Sequence, residues 1–134
     1  SDYRKAVEAG EKAIKIIATY LNPSTETCEE WLKLEASALW TLGLSHKKME
    51  SSFSDLISGN QESAMSNSLS IREEGYHRNP DYWLEDYIDG LSRMMAHYFD
   101  EANIAKNFNA QFTTQTYDLF DKSLQLSSRL MKVL

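Results

Sequence analysis

The chain carries one cysteine, Cys28. That excludes an internal disulfide and any metal site built on several thiolates. No apolar run approaches the roughly 20 residues needed to cross a bilayer, and no signal-peptide pattern opens the chain. Basic residues are also scarce: fourteen Lys and Arg stand against twenty Asp and Glu, a formal charge of −6. A phosphate-backbone binder needs a basic face, so nucleic acid is disfavoured, and the same deficit disfavours anionic lipid. The single Asn-Pro-Ser, at Asn22, is blocked as a glycan acceptor by its proline. These absences point to a cytoplasmic protein. No His-Glu-x-x-His, no Gly-x-Ser-x-Gly and no phosphate-cradling glycine loop occurs.

What is present is an ordinary globular balance, 42% hydrophobic and 25% charged over 134 residues, enough for one all-helical domain spanning 1–134. Asp2 to Leu21 has a helical stripe of Tyr3, Ala6, Val7, Ala13, Ile14, Ile17 and Leu21. Asn22-Pro23-Ser24 ends it. Thr27-Cys28-Glu29-Glu30 is a capping box that starts a second helix. That helix is apolar nearly all round, from Trp31 through Leu44, which predicts a helix packed between others. Its stripe continues through His46, Met49, Phe53, Leu56 and Ile57, and Ser58-Gly59-Asn60 predicts its stop. A third helix is expected over Gln61 to Glu74, closed by Gly75, with Tyr76-His77-Arg78 as a bridge.

Asn79 and Pro80 then make a helix start. Leu84, Tyr87, Ile88, Leu91, Met94, Met95, Tyr98 and Ala102 follow at the 3-and-4 spacing of one helical face. This fourth helix is expected to run to about Lys106, with a turn at Asn107 to Ala110. Thr113 or Thr114 caps a last helix whose expected stripe is Tyr117, Phe120, Leu124, Met131 and Leu134, with Leu119, Leu126 and Leu130 widening it. The chain begins without Met and ends inside that stripe, so it is expected to be a piece of a longer protein.

The helices echo one another. At a spacing of 55, Ala9, Ala64 and Leu119 correspond, as do Ile14, Leu69 and Leu124, and the small residues Ala13, Ser68 and Ser123. At 52, Trp31 aligns with Trp83, Leu39 with Leu91, Leu42 with Met94 and His46 with Tyr98. This short–long alternation resembles a degenerate, long-helix tetratricopeptide repeat, on Leu39, Leu42-Gly43 and His46 in one long helix and Leu91, Met94-Met95 and Tyr98 in the other. Asn67 to Glu73 and Lys122 to Leu126 are similar to the second helix of such units. The period departs from the usual 34 or so, and the alanine and proline of the signature are mostly missing. The resemblance implies a concave groove for a peptide or partner helix. The expected architecture is all-α: about five antiparallel helices, as stacked helical hairpins or an up-and-down bundle.

Candidate chemistry is thin. His46 falls on an apolar stripe and reads as a core histidine with a hydrogen-bond partner. His97 reads as a partly exposed flank beside Met94, Met95 and Tyr98, and His77 as a loop residue. Cys28 lacks an identifiable base and reads as structural. No catalytic residue, metal ligand or cofactor is assigned. Tyr82, Trp83, Glu85, Asp86 and Asp89 combine aromatics with acids, the composition of many partner-binding surfaces. The sequence therefore points to a non-enzymatic interaction or scaffold domain that binds a partner protein or peptide, one that is basic in the acidic-surface reading, and a homodimer is compatible with it. The alternative is a ligand-sensing helical bundle of a signalling protein.

Overall fold

The computed structural model describes residues 2–21, 29–50, 58–109 and 114–134. Those residues form five helices: α1 (Asp2–Leu21), α2 (Glu29–Glu50), α3 (Ser58–Arg78), α4 (Pro80–Asn109) and α5 (Thr114–Val133). No strand occurs among the described residues, and the fold is all-α. The helices cluster into two compact units, Ser1–Trp83 and Leu84–Leu134, with the boundary inside α4.

In the first unit α2 packs against both α1 and α3, as its broad apolar circumference requires. Val7, Leu39, Leu42 and Ala64 form a buried cluster, with Ile14 and Ile71 against it. Gly10 lets α1 lie close to Leu42: a Cβ there would stand 3.2 Å from Leu42 Cδ1. Ser68 is fully buried on α3 and donates its hydroxyl to the Ala36 carbonyl of α2 at 2.6 Å. A small side chain at that position brings the two helices close, and the hydroxyl finds its acceptor on the neighbour's backbone. Leu34 and Leu44 point outward.

Two helix boundaries differ from expectation. Ser58, Gly59 and Asn60 are not a stop; they form the first turn of α3. Nor does Gly75 end α3, which runs on through Tyr76, His77 and Arg78. The Asn79 N–H donates to the Gly75 carbonyl at 2.8 Å, and the Trp83 N–H to the Asn79 carbonyl at 3.2 Å. One residue, Asn79, therefore separates the two helices. Pro80 has no N–H to give the Tyr76 carbonyl, so the ladder is interrupted there. Asn79 supplies the first acceptor of α4, as an N-cap does. The helix also extends to Asn109, so Asn107 to Asn109 are its last turn. The capping box at Thr27, the thiol of Cys28, the turn at Asn22 to Ser24 and the stripe beyond Glu50 lie outside the described residues.

In the second unit Tyr87, Leu91, Met94, Tyr98 and Ala102 are the buried line of α4, the expected stripe without Leu84, which is exposed, and with Ile88 and Met95 only half-buried. α5 turns the expected stripe only in part: the widening residues Leu119, Leu126 and Leu130 are half-buried or buried, and most of the central line faces out. Thr116, Ser123 and Leu126 are its buried residues, whereas Tyr117, Leu124, Met131 and Leu134 are 61%, 68%, 74% and 80% exposed. The reason is again a close approach. Ser123 donates to the Met95 carbonyl at 3.0 Å, a contact that a bulky side chain at position 123 would prevent. Phe99 meets Phe120 edge-on at 5.5 Å between centroids, and Arg129 reaches the Tyr87 hydroxyl at 3.4 Å.

Candidate functional site

Three places in the molecule hold polar or aromatic side chains in an arrangement that goes beyond packing. The first is the start of α4, where Tyr82 and Trp83 point to opposite environments. Trp83 is fully buried. Its indole covers Gly75, where a Cβ would collide with the ring, and its Nε1 donates to Glu29 at the start of α2. Arg78 holds the same carboxylate with two nitrogens, Nε to Oε1 at 3.0 Å and Nη2 to Oε2 at 3.2 Å. This fork-on-carboxylate geometry is the strong form of an ion pair. The Arg78 hydrogen bond, aided by that of Trp83 and opposed by partial desolvation, holds the Glu29 carboxyl below the ordinary glutamate range and pushes Arg78 up. Trp83 thus has a structural role and offers no surface to a partner.

Tyr82 is exposed. Lys33 of α2 donates to its backbone carbonyl at 2.8 Å and lies over its ring, 3.7 Å from the centroid. Trp31, which the 52-residue spacing pairs with Trp83, is 40% exposed. The two aligned tryptophans occupy different environments.

In the second unit Glu85 and Asp89 are exposed and Asp86 half-buried. Asp89 pairs with Arg93 one turn on, at 2.8 Å. These acids lie off the buried line of α4, on its solvated side. His97 is buried beside Tyr98, not a partly exposed flank. His77 is in α3, not in a loop, and stands exposed 3.7 Å from Glu73. Glu74 and His77 make one Glu-x-x-His step on α3, where a di-metal bundle needs two such steps and two further glutamates. Among the described residues no group of three or more His, Cys, Asp and Glu could hold a metal ion.

The second place is a cleft in the first unit. Glu11 of α1, Leu39, Leu42 and His46 of α2, and Ser63, Ala64 and Asn67 of α3 line a volume of about 260 Å³. His46 is 7% exposed, as a core histidine should be. Its Nδ1, however, has no hydrogen-bond partner among the described residues, and the same is true of Trp40 Nε1. Sequence reasoning placed His46 on the stripe of α2 but could not place Glu11 of α1 or Ser63 and Asn67 of α3 beside it, because they come from other helices.

The third place is the outward face of α5. Tyr117, Phe120, Leu124, Ser127, Met131 and Leu134 alternate at steps of three and four, the a/d spacing of a coiled-coil seam. Four of the five apolar members are well exposed. No protein-family model, no curated protein and no solved structure matches the chain. No described helix is long and apolar enough to cross a membrane.

Proposed function

We propose that this chain is a non-enzymatic interaction or scaffold domain that engages a helix of a partner protein. The observation that carries the reading is the exposed α5 seam. Tyr117, Leu124, Met131 and Leu134 lie on one face and are each more than 60% exposed, while Thr116, Ser123 and Leu126 of the same helix occupy the unit's own interior. An apolar stripe of this regularity on a solvent face marks an association surface, and its seven-residue period suits a helical partner. That partner is a second copy of the chain or a helix of another protein. The acidic side of α4, with Glu85, Asp86 and Asp89, would favour basic residues flanking that helix. Each unit also ties two of its helices together through a buried serine, Ser68 to Ala36 and Ser123 to Met95. The net acidity and the single thiol suit a cytoplasmic setting.

The test is the association state of the wild-type chain against Leu124→Glu and Met131→Glu, by sedimentation equilibrium with circular dichroism as the folding control. Both positions are exposed, so the variants should keep their helicity and lose association with themselves or with a captured helix. A wild-type chain that stays monomeric and captures no partner that the variants release would sink the reading.

A second reading, a ligand-sensing helical bundle, is favoured by one observation: the cleft closed on one side by His46, a buried ring with an unpaired nitrogen.

A further inference from the structure

The buried imidazole of His46 leaves Nδ1 without a partner among the described residues. Leaving a buried polar atom unpaired costs stability, and such atoms in native folds commonly mark a ligand or a functional group. His46 is also a wall of the α1–α2–α3 cleft, so the ring that carries the unpaired atom borders the free volume.

The lining specifies what fits. Leu39, Leu42 and Ala64 are buried and apolar, a floor suited to a chain of methylenes. Glu11, Ser63 and Asn67 stand exposed at the rim. Among the described lining residues Glu11 is the one carboxylate, and none is Lys or Arg. An anionic ligand would meet a like charge and no counter-charge, whereas an ammonium would meet Glu11 directly. Asn67 and Ser63 supply further oxygens for its N–H groups. A neutral imidazole offers one nitrogen as an acceptor, so an amine N–H is also what His46 can receive. Nδ1 itself is buried, so a ligand meets it after a half-turn of the ring about its Cβ–Cγ bond. The volume, about 260 Å³, is the liquid share of roughly nine water molecules. That is room for a small molecule and not for a folded element.

Resting on the ligand-sensing reading, we infer that the α1–α2–α3 cleft binds a small primary amine. Its apolar stem lies on Leu39, Leu42 and Ala64, and its ammonium is held by Glu11 with His46 as the inner polar contact.

The test titrates the whole chain with three matched probes, n-hexylamine, n-hexanol and hexanoate, and reads the ring nitrogens of His46 by NMR alongside the thermal midpoint. Hexylamine should give a saturable shift of the His46 signals and raise the midpoint. Glu11→Gln should weaken it roughly tenfold, while Glu8→Gln, an exposed α1 carboxylate outside the described lining, should not. Glu11 is itself exposed, so the variant folds. Equal or better binding of hexanol or hexanoate overturns the amine assignment and leaves a ligand cleft standing. No response of His46 to any of the three overturns both. A response to a lysine-bearing peptide without one to hexylamine overturns the free-ligand assignment.

Discussion

Gly75 and Trp83 touch without an intervening side chain: the indole lies where a Cβ on residue 75 would have to be. Glycine is required here by space and not by backbone conformation, since α3 continues through it. Gly75→Ala should therefore destabilise by about 1–3 kcal/mol or more through overpacking, although alanine is the better helix former by about 1 kcal/mol. Urea denaturation measures it. In a Trp83→Leu background the same substitution should cost much less, because the atoms it collides with are gone.

The two buried tryptophans of the first unit should answer differently to loss of their N–H. Trp40 Nε1 has no partner among the described residues. Trp40→Phe removes an unpaired donor while opening a small gap, and should stay within about 1 kcal/mol of wild type. Trp83 Nε1 donates to Glu29. Trp83→Phe takes away both ring volume and that bond and should cost about 2 kcal/mol or more. A larger loss for the Trp40 variant than for the Trp83 variant would contradict this assignment.

The Glu29 carboxyl is held low by Arg78. A depressed carboxylate contributes stability that is present above its unfolded value of about 4.3 and fades as the pH falls through the lower folded value. Glu35 is the opposite case: burial pushes its carboxyl up, so its charged form opposes folding and protonation relieves it. Stability measured from pH 7 downward should thus fall less steeply in Glu29→Gln than in wild type, and more steeply in Glu35→Gln. Identical slopes in all three proteins would remove Glu29 and Glu35 from the acid response.

Ser68 and Ser123 each donate to a carbonyl of the neighbouring helix. Ser68→Ala and Ser123→Ala should each cost about 1 kcal/mol, whereas valine at either site should cost about 1–3 kcal/mol by forcing the helices apart. The alanine-to-valine difference is what identifies a close helix approach. If valine is no worse than alanine, the approach is not limiting.

Local signals were read well where the cause was local. Asn79 and Pro80 start α4 because a missing N–H and a fixed φ act within one turn, and the broad apolar girth of α2 correctly required a helix on each side. The misreadings share a cause, which is that the decisive neighbour is far along the chain. Gly75 resembles a helix stop until Trp83 is seen lying on it. The face of α5 with the largest apolar residues resembles a core face until Ser123 is seen against Met95. His97 resembles a polar flank, yet it is buried. Of the expected surface residues, Tyr82, Glu85 and Asp89 are exposed and Trp83 is not, a distinction that one shared helix start cannot reveal. Glu11 and Asn67 joined His46 only through the packing of three helices.

The outward seam of α5 also sets a handedness. From Tyr117 to Leu134 it repeats every seven residues, while a straight α-helix drifts about 20° from such a repeat in each heptad, or roughly 50° over this length. A rigid rod laid alongside would lose one end of the seam. A helix that covered all of it would have to wind around α5 in a left-handed sense, so the spacing of six side chains would set the geometry of the assembly we propose.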